Sequence, residues 1–119
     1  MRLVGSAIIT NIHPLIFNRL PDLEVILMAF GAPELAITSG HEGHDGDGVH
    51  MHGSCHYLVD QYGGKLRVFG EAIDVRIKTV GPSRWTALSN VVRLIYRPDY
   101  FDVVLELDPP HIHIEYDPK

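Results

Sequence analysis

The chain has one cysteine, no apolar run long enough to cross a membrane, and fewer basic than acidic residues. With only Cys55 present, no disulfide can form within the chain, which leaves the redox compartment open. The longest apolar run, residues 25–30, is far shorter than the roughly 20 residues of a transmembrane helix. Ten basic against fifteen acidic residues give a net charge of −5. We therefore expect neither a nucleic acid nor a membrane as partner.

The N-terminus does not match a secretory signal peptide. Asn11 and His13 interrupt the apolar residues that follow Met1, whereas a signal peptide requires an unbroken apolar region. We therefore expect the protein to be cytoplasmic at synthesis. A length of 119 residues with 45% hydrophobic residues fits a single folded domain, residues 1–119, with one modest core.

Periodicity predicts an α+β fold with a small, mainly antiparallel sheet and two or three helices. Apolar residues at helical spacing predict helices over residues 21–30 and 85–95. Alternation and short apolar runs predict strands over residues 35–38, 71–78, 102–107 and 111–116, a hairpin turn over 61–65 and a polar loop over 40–53.

Histidine is the residue type in clear excess. Seven of the eight histidines fall within two windows, residues 41–56 and 111–113. Because side chains alternate along a strand, His111 and His113 point to the same face of the predicted last strand. Asp74 faces away from the core side of its own strand, because Ile73 and Val75 take the apolar face. Imidazole and carboxylate groups from separate segments can form a three-ligand zinc site on one sheet face.

Three segments taken in order resemble a known family. They are Ser54-Cys55-His56-Tyr57, Gly70-Glu71-Ala72-Ile73-Asp74 and His111-Ile112-His113. Together they resemble the zinc peptidase superfamily of D-alanyl-D-alanine carboxypeptidases and phage peptidoglycan endopeptidases, whose relatives include the hedgehog signalling domain. The resemblance implies that His56, Asp74 and His113 bind one zinc ion. It also implies a peptide or peptidoglycan substrate, reached at the cell wall after release.

The spacing of the first two ligands departs from that family. His56 and Asp74 are eighteen positions apart, whereas the family usually separates these ligands by seven. A hairpin over residues 58–69, turning at Gly63-Gly64, would return the chain to its starting point and keep both ligands in place. Without such a return the ligands could not meet, because zinc–ligand distances of about 2.0–2.2 Å tolerate little displacement.

Three residues are candidates for catalysis. Glu106 and Asp108 precede His111-x-His113, where the family carries an acidic base, and either can take a proton from water. His111 faces the proposed zinc and can hydrogen-bond the developing oxyanion. His111 is also an alternative zinc ligand in place of His113, and Cys55 is a weaker alternative as a thiolate.

Two further sets of residues are candidates for metal or substrate contacts. Glu42, Asp45 and Asp47 are spaced like an acidic calcium loop, although calcium requires six to eight oxygen ligands. Arg76 and Arg84 are candidates for contacting a substrate carboxylate.

The leading interpretation is a zinc-dependent peptidase acting on amide bonds in peptidoglycan stem peptides. One alternative is a hedgehog-like, zinc-binding interaction domain without peptidase activity. The other is a histidine-rich metal-sequestering protein, which would bind several ions through the loop histidines.

Overall fold

A computed structural model describes residues 1–42, 54–56 and 69–119 and has an α+β fold. Its sheet is mostly antiparallel, with five strands in the order β1-β2-β3-β5-β4. The strands are β1 (Arg2–Leu3), β2 (Ala36–Ser39), β3 (Ala72–Arg76), β4 (Phe101–Leu107) and β5 (Pro110–Tyr116). The helices are α1 (Pro14–Phe17), α2 (Leu20–Ala29) and α3 (Trp85–Ile95), the last preceded by a 3-10 turn over Pro82–Arg84.

The predicted α+β architecture is confirmed. The α2 helix begins one residue before its predicted start, and α3 has the predicted bounds. Two short elements were not predicted, namely α1 and β1, which pairs parallel to β2 at one edge of the sheet. The predicted hairpin turn at residues 61–65 lies outside the described residues, as does most of the predicted loop at 40–53.

The core lies between one face of the sheet and the helices. Leu23 and Leu27 of α2 and Leu88 and Val92 of α3 are fully or almost fully buried. They belong to one cluster with the inward-facing side chains of the sheet, including Ile73, Val75, Ile112 and Ile114. Because these strand residues are at alternate positions, the residues between them belong to the opposite, outer face. The outer face carries the polar residues of β3 and β5.

No helix in the described ranges is both long and apolar enough to span a bilayer. The longest described helix is α3, with 11 residues, whereas a span requires about 20.

A buried tyrosine ties α3 to the N-terminal segment. The Tyr96 side chain is fully buried, and its hydroxyl donates a hydrogen bond of 3.0 Å to the backbone carbonyl of Ile16.

The Tyr96→Phe substitution would leave that carbonyl without its donor inside the core. We expect a loss of about 1–2 kcal/mol in the free energy of unfolding, measured by urea denaturation. Tyr100→Phe, at a tyrosine that is 53% exposed, is the matched control and should change stability by less than about 0.5 kcal/mol. Equal stability of the two variants would contradict the assignment.

Candidate metal centre

Asp74 lies at the middle of the outer sheet face, where three strands meet. Its neighbours along β3, Ile73 and Val75, belong to the core, so the Asp74 carboxylate belongs to the outer face. In register, Asp74 pairs with His113 of β5 on one side and with Ser39 of β2 on the other. Hydrogen bonding between strands therefore brings the side chains of Asp74 and His113 together, although 39 positions separate them in the sequence.

Two imidazoles converge on the Asp74 carboxylate. The Nδ1 atom of His113 lies 2.8 Å from Oδ1 of Asp74, and the Nε2 atom of His56 lies 3.5 Å from Oδ2. The centroids of the two imidazole rings are 5.2 Å apart. One donor atom from each of the three residues lies within 4.8 Å of the other two. The structure thus brings together the three residues that the motif resemblance predicted as metal ligands.

Backbone contacts hold His56 in place at the centre. Its Nδ1 atom lies 2.7 Å from the carbonyl oxygen of Gly40. A carbonyl can only accept, so Nδ1 carries a proton, and Nε2 is the ring nitrogen that faces Asp74. The preceding residue is anchored too, because the Glu71 amide donates to the Cys55 carbonyl at 2.7 Å. His56 is therefore oriented by a backbone acceptor, as metal-binding histidines usually are.

Gly40 can lie close enough to the Ile8 backbone to hold this position because it has no side chain. A Cβ atom at Gly40 would lie 2.0 Å from the carbonyl oxygen of Ile8, closer than atoms can approach. The Glu42 carboxylate links the two backbone segments, because it accepts hydrogen bonds from the amides of Gly40 at 2.7 Å and Ile8 at 3.0 Å. It also accepts from the Ser39 hydroxyl at 2.6 Å. Glu42 thus supports the backbone that orients His56.

Glu115 orients the second imidazole. It follows His113 by two positions on β5, so both side chains are on the outer face, and its Oε1 lies 3.1 Å from Nε2 of His113. The Cys55 thiol also contacts the Glu115 carboxylate. With Nε2–H donated to Glu115, Nδ1 of His113 is left to face Asp74 and a metal. A carboxylate behind a metal-binding histidine is a common arrangement, and it fixes the tautomer.

Without a metal, the centre is a chain of alternating charges. Burial raises the pKa of Asp74, but the hydrogen bonds and positive charge of His113 and His56 outweigh burial and hold this pKa well below its usual range. Burial lowers the pKa of His113, but hydrogen bonds to Asp74 and Glu115 raise it to about 9. Hydrogen bonding to His113 lowers the pKa of Glu115. At neutral pH His113 is therefore an imidazolium between two carboxylates.

The donor set fits zinc. Tetrahedral zinc with bonds of about 2.0–2.1 Å has donor atoms about 3.3–3.4 Å apart. The two separations from Asp74, 2.8 Å and 3.5 Å, run to different oxygens of its carboxylate, and one donor atom from each of the three residues lies within 4.8 Å of the other two. Two imidazole nitrogens with one carboxylate oxygen are typical zinc ligands, and three protein ligands leave a fourth position for water or substrate. His56, Asp74 and His113 therefore have the chemistry and spacing to hold one metal ion.

His111 of β5 and Glu106 of β4 lie on the same outer face, closer to the turn that joins these two strands. They are cross-strand partners, and Nε2 of His111 lies 3.4 Å from Oε2 of Glu106 and 3.9 Å from Oδ1 of Asp74. The Nδ1 atom of His111 donates to the carbonyl of Pro109 at 2.6 Å. A neutral His111 therefore has its lone pair on Nε2 and can accept a proton from the direction of the centre.

The remaining candidate residues differ in exposure and in the groups they contact. Asp108 is exposed in the turn between β4 and β5 and forms no hydrogen bond or ion pair with the described residues of the centre. His111 is not among the described residues whose donor atoms form the metal group, whereas His113 is. Cys55 is partly exposed and directs its thiol to Glu115. Arg84 donates to the Phe30 carbonyl and lies over the Phe30 ring.

The predicted second metal site lies mostly outside the described residues, which include Glu42 but neither Asp45 nor Asp47. Glu42 binds backbone amides with its carboxylate, as described above. His41 is also occupied, because its Nε2 atom accepts from the Asn11 amide at 3.1 Å. Neither residue contacts a described carboxylate that would complete a calcium site.

One more acidic group lies near the start of β4. Asp102, Glu115 and Asp117 come close enough to hold an ion. The Lys119 ammonium already lies 3.0 Å from Oδ1 of Asp102 and 3.5 Å from Oδ2 of Asp117. This lysine accounts for the acidic group without a metal.

The residues that support the ligands are only partly evident from the sequence. There Glu115 can be either a support for a ligand or a solvent-facing strand residue, and nothing links Gly40 or Glu42 to His56. The alternation of His111, His113 and Glu115 along one strand was the available signal for Glu115. No comparable signal exists for Gly40, because its contact with His56 spans 16 residues and depends on tertiary structure.

Comparisons of the chain with protein-family models, with curated protein sequences and with solved structures yield no match. The resemblance of the three motifs to zinc peptidases therefore stays a prediction, and the geometry of the centre is independent support for metal binding.

We expect Glu115 to strengthen metal binding by orienting His113. Glu115→Ala should lower zinc affinity about 10- to 100-fold, the usual effect of removing such a partner. Glu115→Gln should have a smaller effect because its amide oxygen still accepts from Nε2. The measurement is competition with a zinc chelator. Asp102→Asn is the control. Asp102 is the cross-strand neighbour of Glu115 on β4, and the structure gives it no hydrogen bond to His113. An unchanged affinity in Glu115→Ala would contradict this role.

Zinc binding should release a proton. His113 is protonated at pH 7 because its pKa is about 9, and a metal at Nδ1 must displace that proton. We expect about one proton released per zinc at pH 7 and an affinity that rises as the pH increases from 6 to 8. Calorimetric titration in two buffers of different ionisation enthalpy measures the release, with zinc titrated into each buffer alone as the control. Identical binding enthalpies in both buffers would show that His113 does not lose its proton.

Proposed function

We propose that this protein is a zinc-dependent peptidase that hydrolyses an amide bond in peptidoglycan stem peptides. The observation that carries the proposal is the convergence of His56, Asp74 and His113, with each imidazole oriented by a separate acceptor. The geometry supports a single metal with an open position. The resemblance of the three motifs to zinc carboxypeptidases and endopeptidases supplies the substrate class.

A zinc ion bound by these three residues would lower the pKa of a bound water toward about 7 and polarise the substrate carbonyl. The protein's own contribution begins with Asp74, whose carboxylate and position at the middle of the sheet make a rigid anchor. His56 and His113 are held from behind, so little reorganisation is needed when the metal binds. A rigid centre of this kind favours catalysis because its groups are oriented before the reaction.

Glu106 is the residue best placed to move protons. Its carboxylate lies on the same sheet face as the ligands and contacts His111, which faces Asp74. Glu106 can accept a proton from the attacking water and deliver it to the leaving amine, and His111 can relay it. Asp108, at the tip of the hairpin, is less well placed. We therefore assign Glu106 as the base, with His111 as its hydrogen-bonding partner.

The ligands and the base can be tested separately. Purified protein should contain one zinc per chain, and His56→Ala, Asp74→Ala and His113→Ala should each lose it, as measured by elemental analysis. Because metal binding stabilises the folded state, the zinc-dependent increase in melting temperature should disappear in the same variants. Glu106→Gln should retain zinc and lower turnover of muropeptides by about 10²–10⁴-fold. Asp108→Asn, the matched control on the same hairpin, should retain both zinc and turnover.

Each outcome distinguishes one interpretation from the others. One zinc per chain with no hydrolysis of muropeptides would favour the metal-binding interaction domain instead. Several ions per chain, retained in the three ligand variants, would favour metal sequestration by the loop histidines. Full activity in Glu106→Gln with loss of activity in Asp108→Asn would move the base to the hairpin tip.

A further inference from the structure

His111 is an imidazole held in the same way as the proposed zinc ligand His56. Its Nδ1 atom donates to the backbone carbonyl of Pro109 at 2.6 Å, as Nδ1 of His56 does to that of Gly40 at 2.7 Å. In both rings Nε2 then faces the Asp74 carboxylate, at 3.9 Å for His111 and 3.5 Å for His56. A backbone acceptor behind one ring nitrogen is the usual support of a metal-binding histidine. His111 thus has the orientation of a ligand without belonging to the three-residue centre.

Glu106 offers a second ligand beside His111. The two residues are cross-strand partners on β4 and β5, and Oε2 of Glu106 lies 3.4 Å from Nε2 of His111. This separation fits two donor atoms on one tetrahedral zinc ion, which are about 3.3–3.4 Å apart. The Glu106 side chain is 50% exposed, so its carboxylate can adjust to an ion without disturbing the core. Imidazole nitrogen and carboxylate oxygen are both common zinc ligands.

Asp74 connects this pair to the metal centre through its two carboxylate oxygens. Oδ2 lies toward His56, whereas Oδ1 lies 2.8 Å from Nδ1 of His113 and 3.9 Å from Nε2 of His111. A carboxylate whose oxygens face different imidazoles can bridge two ions, and two-metal sites hold their ions about 3.5–4 Å apart. Nε2 of His111 therefore lies between two carboxylates, one of which also belongs to the proposed zinc centre.

Three features make an ion at His111 weaker than the one at the centre. Among the described residues, Glu106, His111 and Asp74 are not a group whose donor atoms all lie within 4.8 Å of one another, so Glu106 must move to bind an ion together with Asp74. Arg76 is the cross-strand partner of His111 on β3 and shares the outer face with Asp74. No ion pair within the described ranges neutralises its charge, which opposes a second cation. The first ion repels the second as well.

We propose that Glu106, His111 and Asp74 form a second, weaker zinc site and that zinc bound there inhibits the enzyme. The inhibition rests on the proposed peptidase function, in which Glu106 is the base and His111 its partner, whereas the binding does not. A cation lowers the basicity of a carboxylate that coordinates it, so Glu106 no longer takes the proton of the attacking water. An imidazole whose Nε2 binds zinc has no lone pair left to relay that proton. Excess zinc therefore stops turnover while the first ion stays in place.

Binding of the second ion can be measured without any substrate. Protein that retains one zinc per chain after dialysis is titrated calorimetrically with zinc chloride alone, and we expect a second binding step of one further ion per chain. His111→Ala should remove this step, because His111 is the ligand that lies between the two carboxylates. Glu106→Gln should weaken it by about 10-fold or more, since an amide oxygen lacks the charge of a carboxylate. Elemental analysis of both dialysed variants should still give one zinc per chain.

Asp102→Asn is the matched control and should keep the second step. It removes a carboxylate from the same strand and face as Glu106, but one that is paired with Lys119. Absence of the step from the wild-type protein, its survival in His111→Ala or its loss in Asp102→Asn would each overturn the inference, because the weaker ion would then be absent or held elsewhere. If His111→Ala does not fold, as judged by its melting curve, Glu106→Gln carries the test.

Turnover of muropeptides separates the inhibition from the binding. Added zinc should lower wild-type turnover with the half-saturation concentration of the second binding step, and magnesium at equal concentration should not, because it prefers oxygen ligands. Unchanged or increased turnover when the second step is saturated would overturn the inhibition. If the second ion binds through His111 and Glu106 but no hydrolysis occurs at any zinc concentration, the peptidase proposal fails and the second site stands. Hydrolysis without a second binding step would overturn this inference and leave the peptidase proposal intact.

Discussion

The structure of the centre depends on one buried carboxylate that two imidazoles share. Asp74 lies in the central strand of the five-stranded sheet, where partners on both sides restrict its backbone. Its negative charge compensates the charge of His113 and attracts His56 in the absence of a metal. A metal ion in this position would displace the proton of His113 and become the positive charge beside the carboxylate. The same contacts that stabilise the metal-free fold thus prepare it for a cation.

Support for this arrangement comes from residues that would not themselves touch the metal. Gly40 orients His56, Glu42 holds Gly40, and Glu115 orients His113. The three supports come from different segments and act on different ligands. Each imidazole therefore presents one defined nitrogen to the centre, and this defined geometry is the physical basis of the proposed metal binding and chemistry.

Beyond the ligands, the outer sheet face has a polar row formed by Arg76, His111 and Glu106 across three strands. Glu106 and His111 contact each other and are suited to proton transfer, whereas Arg76 has no described partner and is suited to binding an anion.

The sequence by itself determined the helices α2 and α3, the strands β3 to β5 and the shared face of His111 and His113. Each depends on a local period that side-chain geometry enforces, and short elements such as α1 and β1 have too few residues to show one. Motif resemblance, rather than periodicity, identified His56, Asp74 and His113 as a set. Only the tertiary structure decided that these three meet, that Glu115 and Gly40 orient them, and that Arg76 lacks a described partner. Those contacts join residues far apart in the chain, and strand register and backbone packing, which no local pattern encodes, bring them together.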